Sequence, residues 1–199
     1  MDAQVRKENI NNKEMTDNQL KLTGILYQDF CFSHEKHEKY YRSELLVCTG
    51  EEKAELIPVY IAERHLKKVF YKKGNTVDME GCLRSHAYWE KGKKYFSVII
   101  LLTRISQVSS DMIHRNLVFL KGKVSGCNKE EKSNEQKRHF LLEVKRDYGI
   151  TDKIPCDLER KIFSDRLREG DLLYIYGHII PVDGKQQFLK INAYQAQTG

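Results

Sequence analysis

The sequence has no apolar run long enough to cross a membrane as a helix. Its longest, Val98 to Leu102, falls far short of the roughly 20 residues such a helix requires. No secretory signal is legible at the start either, because Met1 to Asn18 alternates charged and amide side chains without an apolar stretch. Both absences disfavour membrane and exported classes. The five cysteines, Cys31, Cys48, Cys82, Cys127 and Cys156, are odd in number and form no C-x-x-C pair. That spacing excludes a thioredoxin-like redox pair and a zinc ribbon, and a reducing cytoplasm is the expected setting. Catalytic signatures are missing as well: there is no phosphate-cradling loop, no dinucleotide fingerprint and no Gly-x-Ser-x-Gly elbow. The nearest approach to a metal site is Cys31-x2-His34-x2-His37, for which a fourth ligand is not evident nearby. A non-enzymatic protein without cofactor or metal is expected, with that segment serving as a mobile, charged loop.

What the 199 residues do contain is a modest basic excess, 34 Lys and Arg against 28 Asp and Glu, net +6. This permits a polyanionic partner without requiring one. They also contain a repeat. Leu20-Lys21-Leu22-Thr23-Gly24, Ile57-Pro58, Lys73-Gly74-Asn75, Glu80-Gly81 and Gly92 find counterparts in Val118-Phe119-Leu120-Lys121-Gly122, Ile154-Pro155, Glu169-Gly170-Asp171, Tyr176-Gly177 and Gly184. Most of these landmarks lie about 96–98 residues apart, the mark of tandem duplication. Two of the only three prolines occupy the paired Ile-Pro positions.

Each copy reads as a small all-β unit with one short helix. Leu20 and Leu22 alternate with Lys21 and Thr23, and Phe140, Leu142 and Val144 alternate with Leu141, Glu143 and Lys145, the period of a half-buried strand. After the Ile-Pro strand the period changes. Ala62, Leu66, Val69 and Phe70 share one helical face, as do Leu158 with Ile162 and Phe163 with Leu167. Three strands, a helix, then a hairpin into a fifth strand is the order of a five-stranded Greek-key barrel of the OB type. The fold class is therefore two tandem OB barrels. They span residues 18–108 and 116–196, with an arm at 1–17 and a linker at 109–115.

With those landmarks in place, the first copy resembles the bacterial single-stranded DNA-binding protein family. Asn18-Gln19-Leu20-x-Leu22-x-Gly24-x-Leu26, the string Lys73-Gly74-Asn75-x-Val77-x-x-Glu80-Gly81-x-Leu83-Arg84-Ser85, and the hairpin aromatics Tyr88-Trp89 carry the resemblance. The second copy resembles the family only through its relation to the first. The resemblance implies sequence-tolerant binding of single strands, with bases stacked on aromatics and the backbone following a basic groove. It also implies a nucleoid- or plasmid-associated setting in replication, repair or recombination. Carried over residue by residue, it places a stacking aromatic at Tyr60 in the third strand and another at Tyr88, beside Trp89. Two further stacking positions of the family, near Thr49 and near Lys53-Ala54, are not aromatic here. The counterparts of Tyr60 and Tyr88 in the second copy read as Cys156 and Gly184, leaving that copy without these rings. The family's acidic tail is not found after Gln195, so recruitment of partners by that route is not expected.

The hairpin from Arg84 to Tyr95 is the sharpest local feature, since it gathers Arg84, Tyr88, Trp89, Lys91, Lys93 and Lys94 into one loop. A nucleic-acid site needs such a mixture; a solvated hairpin folded back on its barrel is the plainer alternative. Strand parity points Lys21 and Tyr27 outward in the first copy and Phe119, Lys121 and Lys123 outward in the second. Lys145 and Arg146 would extend the phosphate track. In the second copy Leu172, Tyr174 and Tyr176 form an outward stripe where the first has Asp78 and Glu80. We read that stripe as a protein interface, through which a homodimer would assemble four barrels. The expected ligand is single-stranded DNA; an OB-fold interaction scaffold in a replication-restart or plasmid-transfer complex is the alternative, and RNA binding is a third reading because nothing in the sequence reports on the 2′-hydroxyl.

Overall fold

Alternation of apolar and polar residues is realised as strands over most of the chain. The computed structural model describes residues 16–48, 54–66, 71–90, 92–126, 136–162, 167–182 and 185–199; for 88, 90, 93–95, 147 and 185–187 it describes the backbone only. The first copy supplies β1 (Asn18–Leu26), β2 (Cys31–Lys36), β3 (Glu38–Cys48), β4 (Ala54–Ala62), β5 (Thr76–Glu90) and β6 (Lys93–Gln107). The second supplies β7 (Arg115–Ser125), β8 (Lys137–Lys145), β9 (Thr151–Glu159), β10 (Leu172–Val182) and β11 (Lys185–Thr198). Hydrogen bonding links them in the order β10-β11-β9-β8-β7-β1-β5-β6-β4-β3-β2, and the further pairings β1–β3 and β10–β7 close two rings. Each ring contains five strands and one parallel pair, β4 with β6 and β9 with β11. Closure leaves the two rings themselves without free sheet edges, while β2, paired among the described residues with β3 alone, lies outside the first ring.

The interiors follow the period-2 pattern. Leu20, Leu22, Leu45, Ile57, Val77, Met79 and Ile100 fill the first ring, and Leu120, Leu142, Ile154, Leu173, Ile175 and Ile191 the second. Closure has a local requirement at matching points. A Cβ on Gly24 would stand 2.4 Å from the Leu46 carbonyl oxygen, and one on Gly122 would stand 2.5 Å from that of Glu143. Immediately beyond these glycines β1 pairs with β3 and β7 with β8, so only glycine admits the crossing backbone. The start of each first strand is tied down in the same way. The Asn18 amide donates to the Leu83 carbonyl at 2.8 Å and accepts from the Leu83 N–H at 2.9 Å, while Asn116 brackets Ile179 at 2.7 and 2.9 Å.

The rings are joined along one strand pairing, antiparallel β1 with β7, from Asn18↔Leu120 to Thr23↔Arg115. Leu20 lies opposite Val118, its own counterpart in the repeat, so the contact is isologous within a single chain.

Three local expectations change. Of the first helix, the described residues hold a single 3-10 turn, Glu63–His65, and residues 67–70 lie outside them. Leu158 does not begin a helix: it continues the buried alternation of Ile154 and Cys156 in β9, which pairs with β8 as far as Lys137↔Glu159. Ile162 follows in a turn, and Phe163 lies outside the described residues. The segment expected as a charged loop is β2, which pairs with β3 through a turn at His37 (φ 66°). All six β2 residues are exposed, so no buried face betrays the strand in the sequence. In the second copy, Lys137 and Arg138 begin β8, with Arg138 buried. Among the described residues no helix is long and apolar enough to cross a membrane.

Candidate nucleic-acid interface

With Leu45, Val47, Ile57, Val59 and Ile61 inward, parity turns Arg42, Glu44 and Tyr60 out onto the open side of the first barrel. Tyr60 lies opposite Arg42 on β3 and Leu101 on β6. The β2–β3 hairpin then folds two more rings into this region. His34 stacks on Tyr40 with centroids 5.0 Å apart and planes 10° from parallel, and it stands 6.5 Å from Tyr60. Arg42 is steadied by Glu44 at 2.9 Å, and Arg64 by Glu38. Burial raises the Tyr40 hydroxyl above the ordinary phenol range and the Glu38 carboxylate adds to it, so the ring stays neutral at physiological pH. In the sequence His34 stands out only through its Cys-His-His spacing and Tyr40 not at all; the signal for both is a charged segment followed by Tyr40-Tyr41, which charge density disguises as loop.

The β5–β6 hairpin projects beyond the barrel, with Gly92 at its turn (φ 74°). Trp89 is 71% exposed there and so does not fold back onto the chain. Tyr88, Lys93 and Lys94 lie on the hairpin strands, and their side chains, like the whole of Lys91, are outside the described residues. Tyr27 is half-exposed just past β1, with the Lys73 ammonium 5.5 Å from its ring centroid.

Arg84 and Arg146 face a different task from the one the sequence suggested. Both guanidiniums are held by Asp152, which is fully buried where the β5–β6 hairpin meets the second barrel. Arg84 approaches it at 3.3 Å, Arg146 Nε donates to it at 2.5 Å, and the Ser85 N–H donates to it at 2.5 Å. The hydrogen bond to Asp152 pushes Arg146 above the ordinary guanidinium value, outweighing desolvation. Spacing along the chain could not show this cluster, because the two arginines come from different copies.

The open face of the second barrel differs. Strand pairing sets Asp157, not Cys156, at the position of Tyr60: Asp157 lies opposite His139 and Asn192 as Tyr60 lies opposite Arg42 and Leu101. Cys156 points into the core. The sequence reading slipped by one residue, which in a strand exchanges faces. Asp157 contacts His139 Nδ1 and the Lys190 ammonium, each at 2.6 Å, and Lys137 reaches Asn192 at 3.3 Å. Gly184 lies outside the described residues.

Across the β1–β7 junction the outer sheet face changes character. On the first-copy side Lys21 meets Glu80 at 3.7 Å, and Glu80 meets Arg104 at 3.9 Å. On the second-copy side Phe119 and Tyr176 lie 5.0 Å apart, and Lys121 bridges Asp17 at 3.5 Å and the Tyr174 ring at 5.7 Å. Leu172 is half-buried beside Gly199; Lys123 and Lys145 are exposed.

No protein-family model and no curated relative matches the sequence. Solved structures do. The wild-type single-stranded DNA-binding protein from Thermus aquaticus superposes with a TM-score of 0.70 at 17% identity, over 92% of each chain. A deletion mutant of it reaches 0.72 at 16% identity, over 92% of this chain and 94% of that one. The chain has a tandem OB fold like that of the Thermus protein. The N-terminal domain of PriB from Thermoanaerobacter tencongensis is 28% identical over 47% of this chain and 98% of its own, with a TM-score of 0.40. An OB barrel binds oligonucleotides on the face of its second and third strands and on the loops after the first and fourth. In the first copy these are β3 and β4, the β2–β3 hairpin and the β5–β6 hairpin, the elements that carry Tyr60, His34, Tyr40 and Trp89.

Proposed function

We propose that the protein binds single-stranded DNA without strong sequence preference and without catalysis, in replication, repair or recombination. The observation that carries this reading is the group of rings His34, Tyr40 and Tyr60, with Arg42 beside it, on the ligand face of the first OB barrel. Aromatic stacking contributes about 1–3 kcal/mol per base and tolerates any base, while cations alone would attract duplex equally well. In this reading the first barrel (18–108) makes most base contacts, through Tyr60, Trp89 and Tyr88 together with His34 and Tyr40. Phosphates are met by Lys21, Lys91, Lys93 and Lys94, and the track continues over Lys121, Lys123 and Lys145 of the second (116–196). The half-buried Phe119, Tyr174, Tyr176 and Leu172 on the outer sheet face support a homodimer of four barrels, because monomers rarely leave contiguous apolar patches of this kind uncovered.

The test is titration with oligo-dT of about 35 nucleotides, followed by Trp89 fluorescence and repeated with duplex and RNA competitors. Quenching is expected. If about six phosphates are neutralised, log K should fall with log salt at a slope near −4, from roughly −0.7 per phosphate. Absence of any binding at low salt would favour the scaffold reading, preferential displacement by RNA would change the ligand, and sedimentation as a strict monomer at micromolar concentration would remove the dimer.

A further inference from the structure

We infer that Tyr148 is a stacking residue for the strand as it passes from the first barrel to the second, at a seam that neither barrel forms alone. This rests on the proposed binding of single-stranded DNA. Tyr148 is 100% exposed and sits in the left-handed region (φ 64°, ψ 24°), followed by Gly149 at φ 76°. A bulky side chain at positive φ is a true outlier, and such strain concentrates at functional sites. Because the ring is wholly in solvent, no packing offsets the strain. Folding alone would favour glycine at this position. Ile150 is exposed beside it, and Lys145 lies just before it.

The loop has a rigid base. The Arg146 N–H donates to the Ile150 carbonyl at 2.7 Å, and Arg146 is fixed on the buried Asp152. Asp152 accepts from the Ser85 N–H, the Lys153 N–H donates to Ser85 Oγ at 2.8 Å, and the Lys153 ammonium lies 5.7 Å from the Phe96 ring centroid. Both strands of the Trp89 hairpin are thereby pinned to the root of the Tyr148 loop. Trp89 follows Ser85 by four residues, about 13 Å along the strand. Tyr148 and Trp89, two large rings standing in solvent, thus rise from opposite sides of one seam. Two guanidiniums over a single carboxylate leave that seam with excess positive charge, which suits a phosphate backbone.

The experiment compares the wild-type chain with Tyr148→Gly and Tyr148→Phe, on oligo-dT of about eight nucleotides, within the site of one OB barrel, and of about 35 nucleotides. Tyr148→Gly should bind the short oligonucleotide as the wild type does and the long one about tenfold more weakly, with an unchanged or higher melting temperature. Tyr148→Phe should retain wild-type affinity for both. Equal binding of the long oligonucleotide by Tyr148→Gly would overturn the inference, as would equal losses on both lengths. Loss of dimer without loss of DNA affinity would instead assign the ring to a second copy of the chain, and it too overturns the inference. Failure of the wild-type chain to bind either length is a different result, since it removes the underlying reading whatever Tyr148 does.

Discussion

On the first barrel the outward position of the third strand holds Tyr60, close to His34; on the second the same position holds Asp157, clamped between His139 and Lys190. One strand pairing away from the junction, Asp78 and Glu80 of the first barrel correspond to Tyr174 and Tyr176 of the second, by the matched pairing of β5 with β1 and β10 with β7. Inward and closure positions hardly differ. Asn18 and Asn116 make the same two backbone hydrogen bonds, and Gly24 and Gly122 admit the same backbone crossing. The demands of closing a barrel act on the inside and at the crossings. They place no demand on outward side chains, so the duplicated barrel carries Tyr60 on one open face and Asp157 on the other, and Asp78 and Glu80 on one outer face where the other has Tyr174 and Tyr176.

The largest expected effect on this comparison comes from Asp152, which joins the two copies away from the β1–β7 junction. Asp152→Ala removes the acceptor of two guanidiniums and of the Ser85 N–H. Breaking a buried charge pair costs about 3–5 kcal/mol, and the low end applies here because both arginines are partly exposed and can rehydrate. Urea unfolding should show a loss of about 3 kcal/mol, with the two barrels ceasing to unfold in one transition. A variant that melts as the wild type does would mean that the β1–β7 pairing alone couples the copies.

The duplication, the barrel and its core were legible because they rest on short-range regularities: alternation, punctuating glycines and the paired Ile-Pro. What was not legible rests on pairing between distant segments. Tyr60 and Trp89 could be read from a resemblance, but His34 and Tyr40 join the group only because β2 folds back on β3, and β2 has no buried face to set its period. Arg84 and Arg146 looked like phosphate contacts because exposure was inferred from charge, whereas one buried carboxylate of the second copy claims both. The Cys156 assignment failed through a one-residue shift that exchanges the two faces of a strand. Tyr148 left no pattern at all, since nothing in composition announces a strained tip.

The difference between the two open faces can be put to a direct test. Tyr60→Ala should weaken binding of a long oligo-dT about tenfold, or 1.4 kcal/mol, within the range for one stacked base. Asp157→Asn removes one negative charge from the second face without emptying the site, so affinity should hold or rise a few-fold at low salt. Comparable losses from both substitutions, with melting temperatures unchanged, would break the division and make both faces base-contacting.

The smallest effect separates two lysines by their surroundings. Lys21 lies 3.7 Å from Glu80, and Glu80 also meets Arg104, so two cations already share one carboxylate on that stretch of sheet. Exposed pairs of this kind contribute only about 0–1 kcal/mol to stability. A phosphate reaching Lys21 must compete with Glu80, and losing the lysine leaves Arg104 to take up the carboxylate. Lys145 stands exposed beside the seam, and no ion pair of it is found among the described residues. Lys145→Ala should therefore reduce the steepness of log K against log salt by about 0.7, the value for one phosphate on a single strand, and Lys21→Ala by clearly less. Equal reductions would show that Glu80 yields Lys21 to the nucleic acid at no cost, and the acidic positions of the first copy would then no longer set it apart from the second.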